Sequence, residues 1–214
     1  MERLDSQRDY WDTAGTTKTF GHPLDPAWLA GIERGARVLD YGCGYGRLVA
    51  QLDADGFAGT EGVDVSANLL ARARADHPAG RFTLLDDPPR LPHPDGSVAA
   101  VLLFAVLTCV PTDRGQRDLV AQLHRVLAPG GLLYVSDLCL QDDEHNRERY
   151  GRFAAAYGTY GIFESGDGAV LRHHTMDWLR ALFADFDVAR SRQLAVRTMN
   201  GNPVQATQLL LRKR

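Results

Sequence analysis

The residues best placed to do chemistry are three closely spaced glycines, Gly42, Gly44 and Gly46, which follow the apolar stretch at 38–41. Glycine lets the backbone turn tightly and approach a ligand without a Cβ in the way. A helix that begins after such a turn offers free N–H groups to that ligand. Taken alone, the spacing fits a ligand-binding loop and a plain tight turn equally well.

The loop departs from the dinucleotide-binding pattern Gly-x-Gly-x-x-Gly, because its third glycine comes one residue early and Arg47 follows it. An acidic residue, Asp40, also lies at the end of the strand predicted before the loop. A carboxylate there is badly placed for a pyrophosphate, but it suits either an ammonium group or the loop's own amides. The pattern therefore favours a cofactor with a cationic amino-acid end over NAD.

Three further carboxylates lie at or just after the ends of the next two predicted strands. Asp64 lies about twenty residues beyond Gly42, where a carboxylate can accept two hydrogen bonds from ribose hydroxyls. The alternative is that Asp64 only helps to cap the following helix. Asp86 and Asp87 could bind an adenine amino group or lie in a solvated turn, and the sequence leaves both alternatives open.

These residues fall on alternating strands and helices. The predicted strands cover residues 37–40, 59–65, 81–85, 98–105, 132–136, 188–196 and 204–211. The predicted helices cover residues 48–54, 67–75 (with Ser66 as N-cap), 118–127, a stretch near 143–157, and 176–183. An Asn-Gly turn favours a hairpin between the last two strands, with 204–211 as the edge strand. We predict an α/β fold: a Rossmann-like, doubly wound, mostly parallel sheet with an antiparallel C-terminal edge hairpin.

Length and composition fit one globular domain. The chain has 214 residues, and its 44% apolar and 24% charged content excludes a disordered or fibrous protein. We expect a single domain (1–214) with four parts. These are an N-terminal helical lid or substrate segment (1–34), a cofactor-binding core (36–137), an insertion that forms a substrate lid (138–175), and a C-terminal helix and hairpin (176–214).

Charge and cysteine content limit the partners. A net charge of −3 excludes a sequence-wide basic surface for nucleic acid. The N-terminus lacks the apolar core of a secretory signal, and no apolar stretch is long enough to span a bilayer. Cys43, Cys109 and Cys139 are too few for a disulfide framework. We expect a cytoplasmic protein, either a monomer or a homodimer, that binds neither nucleic acid nor a membrane.

Four segments together resemble the class I methyltransferases that use S-adenosylmethionine. They are VLDYGCGYG (38–46), GVDVS (62–66), LPHPDGS (91–97) and RVLAPGGLLYVSD (125–137). The resemblance covers residues 36–137 and implies S-adenosylmethionine as the cofactor. It departs from the family at His93, where an aromatic residue usually follows Leu-Pro, and at Ala99, where Asp is usual.

The resemblance implies a role for each residue of the core. The glycine loop would hold the methionine end, Asp64 the ribose, and Asp86 or Asp87 the adenine. Phe104, at the end of the fourth predicted strand, would pass beside the cofactor. The expected cofactor-binding residues are Asp40, Gly42, Cys43, Gly44, Gly46, Arg47, Asp64, Val65, Asp86, Asp87 and Phe104.

The acceptor is expected at the carboxyl ends of the strands, under the segments outside this core. Candidate catalytic residues are His22, His173 and Tyr160, and candidate substrate residues are Tyr10, Trp11, Phe20, Cys109, Tyr150 and Tyr157. The insertion's aromatics have helical spacing, so packing is their alternative role. His22 precedes a proline and is alternatively a turn residue. His173 and His174 are adjacent and point apart, so we expect at most one of them in the site and no metal.

A short acidic chain with an aromatic lid favours methyl transfer to a small-molecule acceptor, at O, N, C or S, by in-line displacement. Two alternatives are an S-adenosylmethionine-binding protein without methyl transfer and a methyltransferase of macromolecules. The three cysteines fall on one face of the predicted sheet. A thiol site for a soft metalloid such as trivalent arsenic is therefore an alternative to plain burial of these thiols.

Overall fold

The computed structural model describes residues 3–214. Its strands are β1 (Val38–Tyr41), β2 (Thr60–Asp64), β3 (Phe82–Leu84), β4 (Val98–Phe104), β5 (Leu127–Leu138), β6 (Ile162–Glu164), β7 (Val170–Arg172), β8 (Phe186–Arg197) and β9 (Pro203–Lys213). Its helices are α1 (Arg3–Ser6), α2 (Arg8–Trp11), α3 (Arg47–Ala54), α4 (Ala67–Asp76), α5 (Asp113–Val126), α6 (Glu144–Tyr157) and α7 (Met176–Leu182). Short 3-10 turns lie at Ala14–Thr17, Pro26–Leu29 and Leu107–Cys109.

Seven strands form the main sheet in the order β3-β2-β1-β4-β5-β9-β8. The strands from β3 to β5 pair in parallel, whereas β9 is antiparallel to both β5 and β8. Parallel pairing needs crossover connections, and α3, α4 and α5 provide them. The predicted fold class is confirmed, since the sheet is mostly parallel with an antiparallel edge and helices flank it.

The C-terminal hairpin corrects one detail of the prediction. β9 lies inside the sheet between β5 and β8, so β8 is the edge strand and the predicted edge at 204–211 is wrong. Burial gives the reason, because residues 206–211 are all buried while β8 is mostly exposed. The predicted turn is present, and Gly201 takes the positive φ of 83° that the turn requires.

Capping explains two helix starts. Ser66 Oγ accepts a hydrogen bond from the backbone N–H of Leu69, which confirms the predicted N-cap of α4. α5 begins at Asp113, earlier than predicted, because Thr112 caps it and its first turn is too polar to show apolar periodicity. The pair β6–β7 was not predicted, since strands of three residues carry too little pattern.

The core lies on both faces of the sheet. On one face Leu103, Val135 and Leu123 belong to one buried cluster. On the other face Trp28 stacks on Tyr134, with ring centroids 4.9 Å apart. Burial on both faces accounts for the near-continuous apolar sequence of β4. Among residues 3–214, no helix has both the length and the apolarity needed to cross a bilayer.

Candidate active site

A first cavity lies where the carboxyl ends of β1, β2 and β4 meet, and its empty space, part of it open to solvent, amounts to about 660 Å³. We call it the loop cavity, because the glycine loop after β1 forms its floor. Gly42, Gly44, Asp64, Val65 and Phe104 line it, as the sequence predicts. β2 and β4 lie on opposite sides of β1. The cavity is therefore at the point where strand order reverses, the usual ligand site of an open α/β sheet.

The glycine loop needs glycine for two different reasons. Gly42, Gly44 and Gly46 have φ values of 73°, 53° and 82°, which side-chain-bearing residues rarely adopt. A Cβ on Gly42 would also lie 2.5 Å from Val106 Cγ2. A Cβ on Gly44 would meet no protein atom within 4 Å, so the space above that backbone is open. A ligand can therefore approach the loop backbone closely at Gly44.

Asp64 braces this loop. Its Oδ2 accepts a 2.8 Å hydrogen bond from Gly44 N, and its Oδ1 accepts a 2.8 Å hydrogen bond from Ser66 N. Burial raises the pKa of the Asp64 carboxyl, and the backbone N–H groups oppose that shift. Each carboxylate oxygen keeps a further lone pair. Bracing the loop thus leaves Asp64 able to accept hydrogen bonds from a ligand in the loop cavity.

Asp40 lies in the interior beneath the loop, and its carboxylate is less well satisfied by hydrogen bonds than that of Asp64. Its Oδ2 is buried without a hydrogen-bond partner among the described residues. Burial raises the pKa of Asp40 to about 8, although the Arg47 guanidinium works in the opposite direction. Of the two roles predicted for Asp40, bracing the loop belongs to Asp64 instead. An orphaned buried carboxylate oxygen fits the other role, electrostatic support of an ammonium group.

Some predicted cofactor residues do not line the loop cavity. The Cys43 side chain packs with Val49 and Leu70 in a separate cluster, because the loop turns it away from the ligand side. Asp86 and Asp87 are exposed, and the end of β3 contributes Leu85 to the cavity instead. Gly46 starts α3, where a Cβ would meet Phe82.

Arg47 is tied to the N-terminal segment. Its Nη2 donates a 2.7 Å hydrogen bond to the carbonyl oxygen of His22. It does not line the loop cavity. Arg47 therefore positions the backbone around His22 and adds positive charge near Asp40.

The three cysteines are dispersed, so the metalloid alternative is wrong. Cys109 lines the loop cavity, whereas Cys139 Sγ lies 3.5 Å from Met176 Sδ and 3.3 Å from Thr207 Oγ1. Cys43 is in the separate cluster already described. Over residues 3–214, no group of three or more His, Cys, Asp or Glu side chains is arranged to hold a metal ion.

The N-terminal segment forms the roof of the loop cavity. Gln7 Nε2 donates to the carbonyl oxygens of Cys109 and Val170, and Gln7 Oε1 accepts from Val170 N, each at 2.8 Å. Asp5 accepts hydrogen bonds from the backbone N–H and the hydroxyl of Thr112. Trp11 completes the roof. These bonds connect residues distant in sequence, so the roof depends on the tertiary fold.

A second cavity, which we call the lid cavity, lies between α6, the β6–β7 pair and the β8–β9 turn. It encloses about 1790 Å³, much of it open to solvent, and its wall is more polar than that of the loop cavity. Phe20, Ala105 and Cys109 line both cavities, which are therefore adjacent. His22 and His173 line the lid cavity, as predicted for candidate catalytic residues.

The predicted tyrosines do not line the lid cavity. Tyr150 is fully buried, and its hydroxyl oxygen lies 2.6 Å from His173 Nδ1. Tyr157 donates a hydrogen bond to Glu164, and Tyr160 is 49% exposed with its ring edge against Tyr150. The prediction of a catalytic Tyr160 is therefore not supported, because Tyr160 lies beyond the end of α6 with its ring half exposed and outside the cavity wall. Tyr10 packs against Trp11 outside the cavities and donates to Asp167.

The prediction missed the cations of the lid cavity. Arg149 and Arg152, on α6, both line it. The Arg149 guanidinium lies over the Phe163 ring, 3.6 Å from its centroid. Residues three apart share a helix face. The spacing of these two arginines in the predicted helix therefore indicates that their side chains lie on the same side of it. It does not show, however, which face meets a cavity.

Comparison with known proteins shows what this chain resembles. Residues 38–131 match a family model described as a methyltransferase domain. A carboxy-S-adenosyl-L-methionine synthase from Chromohalobacter salexigens is 36% identical over 138 residues, which are 58% of this chain and 49% of that protein. A tRNA N(3)-cytidine methyltransferase from Danio rerio is 25% identical over 182 residues, which are 80% of this chain and 50% of that protein. The chain spans about half the length of the curated relatives it matches.

A solved structure agrees in fold. The S-adenosylmethionine-dependent methyltransferase from Methanosarcina mazei superposes with a TM-score of 0.82, over 89% of this chain and 98% of that one. The two sequences are 21% identical, so this likeness shows the fold alone. The family match covers the glycine loop and Asp64, the residues that shape the loop cavity. Residues 38–131 are therefore similar in sequence to a methyltransferase domain, and the fold around them resembles that of an S-adenosylmethionine-dependent methyltransferase.

Proposed function

We propose that this protein transfers the methyl group of S-adenosylmethionine to a small-molecule acceptor held in the lid cavity. The observation that carries the proposal is the adjacency of the two cavities. Phe20, Ala105 and Cys109 belong to both walls, so ligands in the two cavities would meet there. Transfer by in-line displacement needs such contact between donor and acceptor.

The loop cavity fits the cofactor residue by residue. Open space above Gly44 leaves room for a ligand against the loop backbone. The free lone pairs of Asp64 suit ribose hydroxyls. Asp40 is buried beneath the loop and is not in the cavity wall, so it would act on the ammonium of an amino acid through its charge and not by contact. When bound, S-adenosylmethionine supplies a methyl group on a sulfonium. The acceptor's lone pair would form the new bond to that carbon, and the S–CH₃ electron pair would stay on sulfur.

The chain's own task is to orient the acceptor and exclude water. The N-terminal roof closes the loop cavity through Gln7 and Asp5. We infer that the insertion 138–175 closes the acceptor side through α6 and the β6–β7 pair. Excluding water prevents hydrolysis at the electrophilic carbon, and it strengthens the polar contacts around that carbon.

Two relatives favour alternative functions by their names. The tRNA N(3)-cytidine methyltransferase supports a nucleic-acid acceptor, and the carboxy-S-adenosyl-L-methionine synthase supports other chemistry on the same cofactor. The net charge of −3 weighs against a polyanionic acceptor.

The cofactor is tested by calorimetric titration with S-adenosylmethionine, S-adenosylhomocysteine and NADH. We expect the two sulfur nucleotides to bind and NADH not to bind. Asp64→Ala should abolish binding, and Asp86→Ala, at an exposed site, should leave it unchanged. Thermal unfolding of both variants checks that any loss is local. Binding of NADH alone would overturn the proposal.

The acceptor class is tested with S-adenosylmethionine carrying a tritiated methyl group. The protein is incubated separately with the small-molecule fraction of a cell extract and with total tRNA. We expect label in the small-molecule fraction only. Label in tRNA would establish a macromolecular acceptor, and cofactor binding without label in either fraction would favour chemistry other than methyl transfer.

A further inference from the structure

We propose that the lid cavity holds its ligand by a carboxylate or phosphate group, and that His22 and His173 serve there as N–H donors and not as bases. This proposal deepens the proposed function. It rests on the proposed function in one respect, namely that the ligand of the lid cavity is the methyl acceptor. Three observations carry it: the hydrogen-bond chain behind His22, a similar chain behind His173, and two arginines without carboxylate partners.

The chain behind His22 begins at an arginine, which can only donate. Arg192 Nε donates a 2.7 Å hydrogen bond to Gln208 Oε1, and this orients the amide. Gln208 Nε2 therefore donates to Ser136 Oγ at 3.2 Å and to the carbonyl oxygen of Pro23 at 2.7 Å. Ser136 is fully buried, and its hydroxyl oxygen lies 2.8 Å from His22 Nδ1.

The Ser136 hydroxyl decides the tautomer of His22. Because Ser136 Oγ accepts from Gln208, its own hydrogen needs an acceptor, and within residues 3–214 only His22 Nδ1 is in reach. The opposite tautomer would leave a buried hydroxyl hydrogen unpaired, which is unfavourable. The proton of the neutral ring is thus on Nε2. Burial lowers the pKa of His22, which keeps the ring neutral at pH 7.

His173 has the same arrangement on another wall of the lid cavity. The backbone N–H of Gln141 donates to the Tyr150 hydroxyl oxygen at 3.3 Å. That oxygen lies 2.6 Å from His173 Nδ1, so the phenol hydrogen points to the imidazole. Burial lowers the pKa of His173 well below its usual value. His173 therefore also carries its proton on Nε2.

Both Nε2–H groups are available to a ligand. No hydrogen bond joins either Nε2 to another side chain within residues 3–214, and both residues line the lid cavity. The Ser136 backbone, which lies beside the His22 ring, opposes the lowering of the His22 pKa by burial. In the neighbouring His174, by contrast, both ring nitrogens are sealed in the interior. A ring whose free nitrogen carries the proton can donate to an oxygen, but it cannot accept a proton there.

The charges of the lid cavity point to an anion. Arg149 and Arg152 form no salt bridge with a carboxylate within residues 3–214, and Arg149 Nε is buried without a hydrogen-bond partner there. Burial lowers the pKa of the Arg149 guanidinium, and the Tyr150 hydroxyl and Asp143, which lie near it, oppose that shift. The carboxylates of the same wall are already engaged. Asp143 accepts from the backbone and side chain of Asn146, and Glu164 accepts from Tyr157. Unpaired guanidinium groups beside two N–H donors favour the oxygens of a carboxylate or phosphate.

The tautomers are tested without cofactor or turnover, by long-range proton–nitrogen NMR of protein with ¹⁵N-labelled histidine at pH 7. We expect both rings to show a bare Nδ1 and a protonated Nε2. In Ser136→Ala, His22 should lose its single tautomer while His173 keeps it. A protonated Nδ1 at either ring, or no effect of Ser136→Ala on His22, would overturn the proposed arrangement.

Anion binding is tested by titration with phenylacetate, phenyl phosphate and phenylacetamide in the presence of S-adenosylhomocysteine. We expect one or both anions to bind about tenfold or more tightly than the neutral amide. The stronger anion identifies the group as carboxylate or phosphate. Arg149→Gln should remove the preference, and Arg147→Gln, on the same helix but outside the cavity, should keep it. Equal binding of the amide, or no saturable binding of any probe, would overturn the proposal.

Two substitutions of His22 distinguish a role as hydrogen-bond donor from a role as base. His22→Gln keeps an N–H group near the Nε2 position but cannot take up a proton, whereas His22→Leu has neither property. We expect anion binding to survive in His22→Gln and to weaken about tenfold in His22→Leu. The reverse result contradicts the proposal. If S-adenosylhomocysteine fails to bind while the NMR and probe results hold, the proposed function fails and the anion site stands.

Discussion

Two buried carboxylates beneath the glycine loop differ in how well they are satisfied. Asp64 accepts two backbone hydrogen bonds, whereas Asp40 Oδ2 has no partner in the described part of the chain. A buried carboxylate without hydrogen bonds destabilises its charged form. The apo-protein therefore carries at Asp40 an unfavourable site that a cationic ligand group would relieve.

The raised pKa of Asp40 predicts that the stability of the protein depends on pH. Burial raises its pKa to about 8 in the folded protein, against about 4 when unfolded. The folded state then binds one more proton than the unfolded state between about pH 4 and pH 8, so the free energy of unfolding falls as pH rises through this window. Asp40→Asn should flatten that fall, as measured by thermal unfolding of the apo-protein from pH 5 to 8. The exposed Asp86→Asn is the control, and equal slopes for wild type and Asp40→Asn would contradict the prediction.

Substitutions at two glycines distinguish the free-energy cost of backbone strain from the cost of a steric clash. Gly56 has a φ of 87° and open space around its Cβ position, so Gly56→Ala should destabilise by about 1–2 kcal/mol. Gly42→Ala adds a clash with Val106 and should cost about 1–3 kcal/mol more. Urea denaturation measures both values. Equal losses would show that Val106 moves aside without cost.

At the scale of elements, the segments outside the alternating strands and helices of the core complete the walls of the cavities. The N-terminal helices roof the loop cavity, and α6 with the β6–β7 pair covers the lid cavity. Long-range side-chain hydrogen bonds hold these short elements in place. Their positions therefore depend on single polar residues more than the core strands do.

Gln7 is the strongest such connection. Its amide makes three hydrogen bonds, to Cys109 and Val170, so Gln7→Ala should loosen the roof. We expect S-adenosylhomocysteine to bind about tenfold more weakly and the N-terminal segment to be cleaved faster in limited proteolysis. Thr17→Ala, exposed on the same segment, serves as the control. Unchanged affinity and cleavage would mean that the roof does not depend on Gln7.

At the scale of the whole molecule, the C-terminal hairpin joins the sheet with its inner strand buried. Leu209 of β9 is packed in the core cluster, whereas Val188 of edge strand β8 is 62% exposed. Leu209→Ala should cost about 2–5 kcal/mol of unfolding free energy, and Val188→Ala should stay within about 0.5 kcal/mol. Chemical denaturation checks both. Similar losses for the two variants would contradict the observed strand order.

The sequence by itself determined the α/β alternation, the glycine loop, Asp64 and Ser66. These depend on local properties: apolar periodicity, the conformational freedom of glycine, and capping within a few residues. The order of the last two strands was not decided locally, since both read as alternating strands joined by an Asn-Gly turn. Only packing against β5 placed β9 inside the sheet.

The tertiary structure alone decided the acceptor side. Tyr150, Tyr157 and Tyr160 were predicted there from residue type, but their rings pack and bond elsewhere, and Arg149 faces the cavity instead. The proton position on His22 likewise depends on Ser136 and Gln208, which are far away in sequence. Helical spacing shows which residues share a face, but contacts between distant segments decide what that face meets.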